Sequence, residues 1–248
     1  MSDFEEDAKS CLYRKITKYV HLDEYNARYL EKLEDPQELF PARRRLRRAG
    51  ETATHLFIVR RGWLYSVRYL AGDRRHVQGL HFPGDVIGLG DVTLEAASAD
   101  LITATDVVLC PVPKENLPHM FVEAPRIAAI LFSFAALDSI ILSERLAVVS
   151  RLQAEGRIAH LLMQIHARLS VTSPGNGNWI RMPISQEIIG DAVSLTQAYV
   201  NRSLKALEDR GLIQRRNQGV ELLDLAALTE LGEFEDRFQT IDTSWFPK

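Results

Sequence analysis

Five side chains in the segment Gln197–Lys205 fall on one side of a predicted helix. They occur at positions i, i+1, i+4, i+5 and i+8, as Gln197, Ala198, Asn201, Arg202 and Lys205. Amide and guanidinium groups are the side chains that pair with the edges of adenine and guanine in the major groove of DNA. The pattern therefore predicts a base-reading surface, in which Arg202 contacts guanine and Gln197 and Asn201 are the other base readers.

Cations and hydroxyl groups around this helix fit contacts to phosphate rather than to bases. From Thr196 to Gly219 the chain has five basic residues against Glu208 and Asp209, a local charge of +3. A DNA-facing domain inside an acidic protein needs such a local excess. The N-terminus of the preceding helix offers backbone N–H groups as well. The predicted phosphate contacts are Thr196, Lys205, Arg215, Arg216, Ser185 and Gln186.

Two short helices must position these side chains. Apolar residues at helical spacing define the first helix by Ile189, Ala192 and Val193, and the second by Val200, Ser203, Leu204 and Leu207. Ser194 and Leu195 separate them, and Thr196 is placed to cap the second helix with its hydroxyl. The arrangement predicts a helix-turn-helix. A solvated surface helix without a partner is the alternative that periodicity alone leaves open.

The segment from His55 to about Pro113 predicts β structure. Short runs such as LFIV, WLYSVRYL and VVLCPV alternate with turn signals about every 8–12 residues, a spacing that suits a β-roll or jelly-roll. Ala8–Leu33 is predicted as an N-terminal helix that ends before Asp35-Pro36. The basic run Arg43–Arg48 is interpreted as a solvated strand edge rather than as a nucleic-acid contact.

A long helix is predicted from Pro125 to about Gln153. Its heptad seam predicts a dimer interface, and Leu131, Leu142 and Leu146 lie beside that seam. Because two faces are apolar, one stripe is expected to face the β-roll and the other a second copy. The seam consists of Ile130, Phe134, Leu137, Ile141, Glu144 and Val148.

Composition excludes several classes of protein. The chain has 248 residues, 46% of them hydrophobic and 25% charged, which suits two modest domains. Two cysteines, Cys11 and Cys110, cannot supply the four thiolates of an iron–sulfur cluster, and they fit a reducing cytoplasm. The acidic N-terminus predicts no signal peptide. No uninterrupted apolar run reaches the ~18 residues of a membrane span.

Ser185–Ile213, with the pattern S-Q-E-x-x-x-D-A-V-x-L-T-x-x-x-V-N-R-S-L-K-x-L-E-x-x-G-L-I, resembles the DNA-binding domain of the CRP/FNR family of bacterial transcription regulators. Gln214–Leu223 resembles the β-hairpin wing of that family. The sensor β-roll is matched at Gly62, Gly72, Pro83, Gly84, Asp85 and Gly88, so the resemblance covers most of the chain. Two departures stand out. Ser194 occupies the turn where the family usually has glycine, and Ala198 occupies the place of a base-reading glutamate.

Members of the family that bind cyclic nucleotides carry a Gly-Glu pair for the ribose and an Arg-Ser pair for the phosphate. Leu89-Gly90-Asp91 and Ala97-Ser98-Ala99-Asp100 correspond to them here, so the arginine is missing. Burying a cyclic phosphate without a guanidinium partner is costly. The sequence therefore disfavours cyclic AMP as an effector, and it predicts no cofactor.

The resemblance implies an α+β protein with an N-terminal β-roll sensor domain (1–122), a long dimerisation helix (123–153), a winged helix-turn-helix domain (154–232) and a tail (233–248). It implies a homodimeric, cytoplasmic regulator that binds double-stranded DNA, contacts RNA polymerase if it activates, and is neither an enzyme nor a membrane protein. Two alternatives stay open. One is a metal-dependent jelly-roll enzyme that uses His55, His76, His81 and Asp85, although no His-x-His occurs. The other is a protein-interaction module that has lost DNA binding.

Overall fold

A computed structural model describes residues 10–72, 74–173, 175, 177–239 and 241–247. The acidic N-terminus before Ser10, including Ala8 at the start of the predicted helix, and Asp73 of one predicted turn lie outside the described residues. The chain forms two compact units. The first contains residues 10–68, Leu80–Asp138 and 241–247. The second contains Tyr69–Gly79 and Ser139–Gln239.

Two four-stranded sheets make up the β-roll, which confirms the predicted fold class. The sheet orders are β1-β8-β3-β6 and β2-β7-β4-β5. Alternate apolar residues of these strands, among them Val59, Leu64 and Leu101, are buried together as one core. The strands are β1 (Glu38–Phe40), β2 (Arg45–Arg47), β3 (His55–Arg61), β4 (Leu64–Leu70), β5 (Arg74–His81), β6 (Val86–Ile87), β7 (Asp100–Thr103) and β8 (Val107–Pro113).

The middle of the basic run, Arg45–Arg47, forms β2 at the edge of its sheet, which confirms the predicted strand edge but not the solvation of Arg47. Arg45 pairs with Asp100 at 3.0 Å between Nε and Oδ2, and Arg47 pairs with Asp91. Arginines of the run are therefore bound to carboxylates of the first unit, and Arg47 is buried.

Four helical segments cover the β-roll in the first unit. They are α1 (Cys11–Thr17), α2 (Glu24–Leu33), α3 (Leu117–Glu123) and the first half of α4 (Pro125–Arg151). Leu12, Ile16, Leu30 and Ile127 join residues of β3 and β8 in a second core. The single N-terminal helix predicted to Leu33 is wrong. Asp23 starts a new helix, because its carboxylate accepts a hydrogen bond from the Asn26 N–H at 2.8 Å.

Helix α4 is 27 residues long. Among the described residues, it is the helix that is long and apolar enough to cross a membrane. Its most apolar window has a mean hydropathy of 1.8, and 44% of that window is buried inside the protein. The sequence criterion of an uninterrupted run missed it, because Ser133, Asp138 and Ser139 break the run. This test of a membrane span uses only length and composition, and a helix buried in a protein core also passes it.

The second unit contains a three-stranded sheet, ordered β10-β11-β9, and the helices around it. The helix-turn-helix and the wing lie where the sequence predicts them, and a short strand precedes them. The elements are α5 (Ala154–Thr172), β9 (Trp179–Arg181), α6 (Gln186–Val193), α7 (Gln197–Asp209), β10 (Ile213–Arg216), β11 (Gly219–Leu222) and α8 (Leu225–Gly232). The tail belongs to the first unit at residues 241–247, where Phe246 is buried and the Trp245 ring contacts Phe132 edge-on.

Candidate nucleic-acid interface

The two helices of the helix-turn-helix begin at side-chain caps. The Ser185 hydroxyl accepts from the Ile188 N–H at 3.2 Å, and the Thr196 hydroxyl accepts from the Tyr199 N–H at 3.4 Å. Ser194 has φ 56° and ψ 46°, the left-handed conformation that the family usually reserves for glycine. The turn therefore keeps its expected shape with a serine in it.

Gly190 allows the tight turn between the helices. The Leu195 N–H donates to the Gly190 carbonyl at 3.0 Å, and a Cβ at Gly190 would lie 2.3 Å from the Leu195 carbonyl oxygen. Any larger residue would push the second helix away from the first. Apolar spacing alone did not identify this residue, although a glycine inside a helical pattern is itself a signal of close packing.

Helix α7 presents the predicted face to solvent. Val200, Ser203, Leu204 and Leu207 are buried, as their spacing predicts. The opposite side is exposed at all five predicted positions: Gln197, Ala198, Asn201, Arg202 and Lys205. The structure therefore brings the proposed base readers together on one open surface that extends over roughly two helical turns.

Positive charge on this surface is concentrated at two residues. Within the described part of the chain, no acidic side chain forms an ion pair with Arg202 or Lys205. The other three basic residues of the region are paired. Arg210 contacts Glu155 at 3.0 Å, Arg215 contacts Glu208 at 2.8 Å and Arg216 contacts Glu221 at 3.0 Å. Arg202 and Lys205 are thus the cations that remain available to an anion.

An aromatic ring supports the Arg202 guanidinium. Its Cζ lies 4.2 Å from the centroid of the Tyr199 ring, a cation–π contact one helical turn apart. Tyr199 is exposed and was not among the predicted site residues. The Tyr-x-x-Arg spacing is the signal that would have found it, because residues at i and i+3 are neighbours on a helix.

The wing is tied to α7 through Arg215. Its backbone N–H donates to Glu208 Oε1 at 2.9 Å, its Nε donates to Glu208 Oε2 at 2.9 Å, and its Nη1 donates to Asn201 Oδ1 at 3.2 Å. The hydrogen bonds that Glu208 accepts from Arg215 lower the pKa of its carboxyl group, and the bond from the backbone N–H has the largest effect. A predicted phosphate contact, Arg215, is therefore engaged by a predicted base reader and by a carboxylate.

Arg181, on the neighbouring strand β9, is an exposed cation that the sequence prediction omitted.

The predicted dimer seam of α4 needs correction. Ile130, Phe134, Ile141 and Val148 are buried within the single chain, so they present no surface to a second copy. Glu144 is also occupied, because its carboxylate accepts from Arg237 Nε at 2.8 Å. Leu137, the remaining one of the six predicted residues, is half-buried. Both faces of α4 are apolar, and the pattern alone does not indicate which one packs inward.

The opposite face of α4 is the exposed apolar one. Phe132 is 65% exposed and Leu146 is 72% exposed, and they lie two heptads apart on the same side of the helix. Leu142 and Ile140 flank this line and are about half exposed. We call Phe132, Ile140, Leu142 and Leu146 the outer stripe of α4.

The β-roll segment that corresponds to the cyclic-nucleotide site is closed by internal contacts. Asp91 Oδ1 accepts from the Ser98 hydroxyl at 2.7 Å and from the Ser98 N–H at 3.2 Å, while Oδ2 accepts from Arg47 Nη2. Asp91 and Arg47 are both buried. Ala97 occupies the place of the missing arginine. Both carboxylate oxygens of Asp91 thus have partners, whereas Nε and Nη1 of the buried Arg47 have no hydrogen-bond partner among the described residues.

The residues considered for a metal site are dispersed, and the buried cysteine of β8 is unreactive. Among the ranges described, no group of three or more His, Cys, Asp or Glu side chains gathers as a metal site requires. His81 Nε2 lies 2.7 Å from the Ser66 hydroxyl. Burial raises the pKa of the Cys110 thiol to about 12, which keeps it protonated and unreactive.

Comparison with known proteins agrees with this geometry. Residues 156–231 match the Crp-like helix-turn-helix domain, and residues 37–123 match the cyclic nucleotide-binding domain. The transcriptional activator protein FnrA of Stutzerimonas stutzeri is 27% identical over 186 residues, 74% of this chain and 75% of that protein. The nitrogen fixation regulation protein FixK of Bradyrhizobium diazoefficiens is 26% identical over 181 residues, 73% and 75% of the two chains.

Solved structures share the fold. FixK2 from Bradyrhizobium japonicum superimposes with a TM-score of 0.71 at 22% identity, over 79% of this chain and 96% of that one. The regulator CLP of Xanthomonas campestris gives 0.64 at 21% identity, over 82% and 100%. Because the two domain matches, the relatives and the exposed face of α7 all agree, we conclude that the chain belongs to the CRP/FNR family and is a DNA-binding transcription regulator.

Proposed function

We propose that the protein is a homodimer that reads a near-palindromic DNA operator through α7 of each copy. The observation that carries the proposal is the exposed face of α7, where Arg202 and Lys205 are cations without an acidic partner among the described residues. Two copies of α7 would enter successive major grooves about 34 Å apart. The relatives named as transcriptional activators support a role in regulation and, if this protein activates, a contact with RNA polymerase in the cytoplasm.

We assign roles to the exposed side chains by their chemistry. Arg202 reads a guanine edge, since a guanidinium pairs bidentately with O6 and N7. Gln197 and Asn201 are the other base readers. Lys205 contacts phosphate as an unpaired cation. Ser185, Gln186 and Thr196 stand at helix N-termini, where backbone N–H groups also attract phosphate. Arg216 reaches phosphate only if its contact with Glu221 opens.

We propose that the outer stripe of α4 forms the interface between the two copies. The surface is apolar, it lies on one side of a long helix, and the buried seam opposite it is already used within the chain. A symmetric dimer places the same patch of each copy against the other. This assignment replaces the seam predicted from the sequence.

We further propose that cyclic nucleotides do not control the protein, because Arg47 and Ser98 occupy Asp91 and no arginine stands at Ala97. Thermal unfolding of the purified protein should show no shift with millimolar cyclic AMP or cyclic GMP. A concentration-dependent rise in unfolding temperature would contradict this part of the proposal.

Selection from a random double-stranded DNA pool tests the central claim. The wild-type protein should enrich a near-palindromic sequence. Arg202→Ala should lower affinity by about 1–3 kcal/mol and relax preference at one base pair of each half-site, whereas Lys205→Ala should weaken binding to all sequences alike and reduce the salt slope by about one. Failure of the wild-type protein to enrich any sequence would reject the proposal and favour an interaction module without DNA binding.

A further inference from the structure

The side-chain amide of Asn201 is held in one orientation by the wing. Its Oδ1 accepts a hydrogen bond from Arg215 Nη1 at 3.2 Å. The Arg215 guanidinium is in turn fixed by the Glu208 carboxylate, which accepts from Nε at 2.9 Å and lies 2.8 Å from Nη2. Charge-assisted bonds of this kind are shorter and stronger than neutral ones. The chain Glu208–Arg215–Asn201, which we call the wing lock, joins the far end of α7 to the middle of its exposed face.

The wing lock restricts the hydrogen bonds that Asn201 offers to DNA. An asparagine amide has an acceptor end and a donor end, and bidentate pairing with adenine uses both, as donor to N7 and as acceptor from the N6 amino group. In this protein the acceptor end is already bound to Arg215. That bond takes one of the two lone pairs of Oδ1 and turns the oxygen toward the wing, so the two N–H groups of Nδ2 are the polar groups of Asn201 left to face a base.

We propose that the wing lock makes Asn201 a hydrogen-bond donor that selects acceptor edges in the major groove, O4 of thymine or O6 and N7 of guanine, over the bidentate adenine pair. Arg215 is then a positioning residue that acts through Asn201, rather than a contact to phosphate. The inference rests on the proposed function, because it requires α7 to lie in the major groove.

The charge distribution supports this role for Arg215. Its side chain is only about one-third exposed, and so is that of its partner Glu208. Binding a phosphate would require Arg215 to leave two carboxylate contacts and the Asn201 oxygen. Arg216, next along the strand, offers a contrast: its side chain is more exposed, and it contacts Gln214 and Glu221 of the wing itself rather than α7. Arg216 therefore serves as the matched control.

The test begins by finding the base pair that Asn201 reads. Selection with Asn201→Ala identifies that position as the one where preference is lost. Wild-type protein should prefer thymine or guanine on the strand that faces Asn201, and Arg215→Met should shift the preference toward adenine by about fivefold or more, because the freed amide can then make both bonds. The salt slope of binding should stay within experimental error of the wild-type value, and Arg216→Met should leave the preference at this position unchanged.

Three outcomes would overturn the inference. One is a wild-type preference for adenine at the Asn201 position. Another is an Arg215→Met protein that keeps the wild-type preference and loses about one unit of salt slope, which would make Arg215 a phosphate contact. The third is an equal shift in preference for Arg216→Met, which would make the effect a general loss of wing charge. Thermal unfolding of each variant establishes that it is folded. If the wild-type protein selects no sequence, the proposed function fails and not the wing lock alone.

Discussion

The Arg202 guanidinium lies over the ring of Tyr199, 4.2 Å from its centroid. A long charged side chain loses rotamer freedom when it binds a base, and a ring that already holds the guanidinium reduces that loss. Tyr199 lies on the flank of α7 away from Gln197 and Asn201, so it contacts Arg202 without covering these two proposed base readers. The pair shows how a helix with alanine at position 198 can still present an ordered guanidinium, the group proposed to read a base.

Replacing Tyr199 should therefore weaken specific binding more than non-specific binding. Tyr199→Ala removes the cation–π contact, worth about 0.5–1 kcal/mol at an exposed site, which corresponds to roughly a two- to fivefold loss of affinity for the selected operator. Tyr199→Phe retains the ring and should bind like wild type. Titration of operator and of random DNA at one salt concentration measures both affinities. An equal loss on the two DNAs would mean that the ring does not act through a base-reading arginine.

Ser194 carries backbone strain that a glycine would relieve. Its positive φ costs an L-residue about 1–2 kcal/mol, and the greater freedom of glycine in the unfolded chain offsets about 0.4–1 kcal/mol of the relief. We expect Ser194→Gly to raise the free energy of unfolding by about 0.5–1 kcal/mol.

Gly211 provides the converse control for Ser194. It has φ +70°, and an added Cβ would meet no described atom within 4 Å beyond its chain neighbours, so Gly211→Ala should destabilise through the backbone alone, by about 1 kcal/mol. Denaturant unfolding of the three proteins compares them directly. A destabilised Ser194→Gly protein would show that the serine side chain makes a stabilising contribution that exceeds the strain.

At the scale of elements, the buried face of α7 was easier to predict from the sequence than the buried face of α4 or the ends of the N-terminal helices. The buried stripe of α7 followed from spacing alone, since only one of its faces is apolar. Helix α4 has two apolar faces. The sequence analysis therefore assigned the dimer interface to the face that the structure buries within the chain. The N-terminal segment broke at Asp23 because a cap competes locally with a continuous helix. Tyr199 and the wing lock depend on side-chain directions that spacing does not contain.

Helices α5 and α8 are joined by a buried histidine. His160 lies in α5, its Nδ1 is 2.9 Å from the Gly232 carbonyl at the end of α8, and its ring packs edge-on against Phe234. Burial lowers the pKa of His160, although the bond to Gly232 and the charge of Glu144 act in the opposite direction. The folded protein therefore favours the neutral ring, and the unfolded chain takes up the proton more readily.

This linkage sets the sign of a pH dependence. The stability from a neutral His160 is present above the unfolded pKa of about 6.5 and is lost as the pH falls through that value. The unfolding temperature should thus decrease between about pH 7.5 and about pH 5.5, and His160→Gln should show a smaller decrease. His76, whose pKa is also lowered by burial, contributes with the same sign, so His76→Gln serves as the comparison. If the unfolding temperature of His160→Gln fell as much as that of the wild type over this pH range, groups other than His160 would cause the pH dependence.

At the scale of the whole molecule, the charge of the chain favours the proposed dimer over a single copy as the form that binds DNA. The chain carries a net charge of −3, so attraction to DNA rests on a few local cations rather than on the protein as a whole. In one copy of α7, Arg202 and Lys205 are the cations without an acidic partner among the described residues. Two cations alone give weak affinity for DNA. Two linked copies on one duplex bind far more tightly than either alone, because the second contact is made at high effective concentration.

Breaking the outer stripe of α4 should consequently weaken operator binding without altering the DNA-binding surface. Leu146→Glu places a charge on the most exposed apolar side chain of the stripe, and burying it against a second copy would be unfavourable. Sedimentation should show a monomer for Leu146→Glu and a dimer for wild type. Affinity for the full palindrome should fall by about 100-fold or more, with affinity for an isolated half-site unchanged. Leu223→Glu charges an equally apolar but unrelated exposed position in the second unit and should remain dimeric. A dimeric Leu146→Glu protein with full operator affinity would place the interface elsewhere and remove the reason for two α7 helices to meet the same duplex.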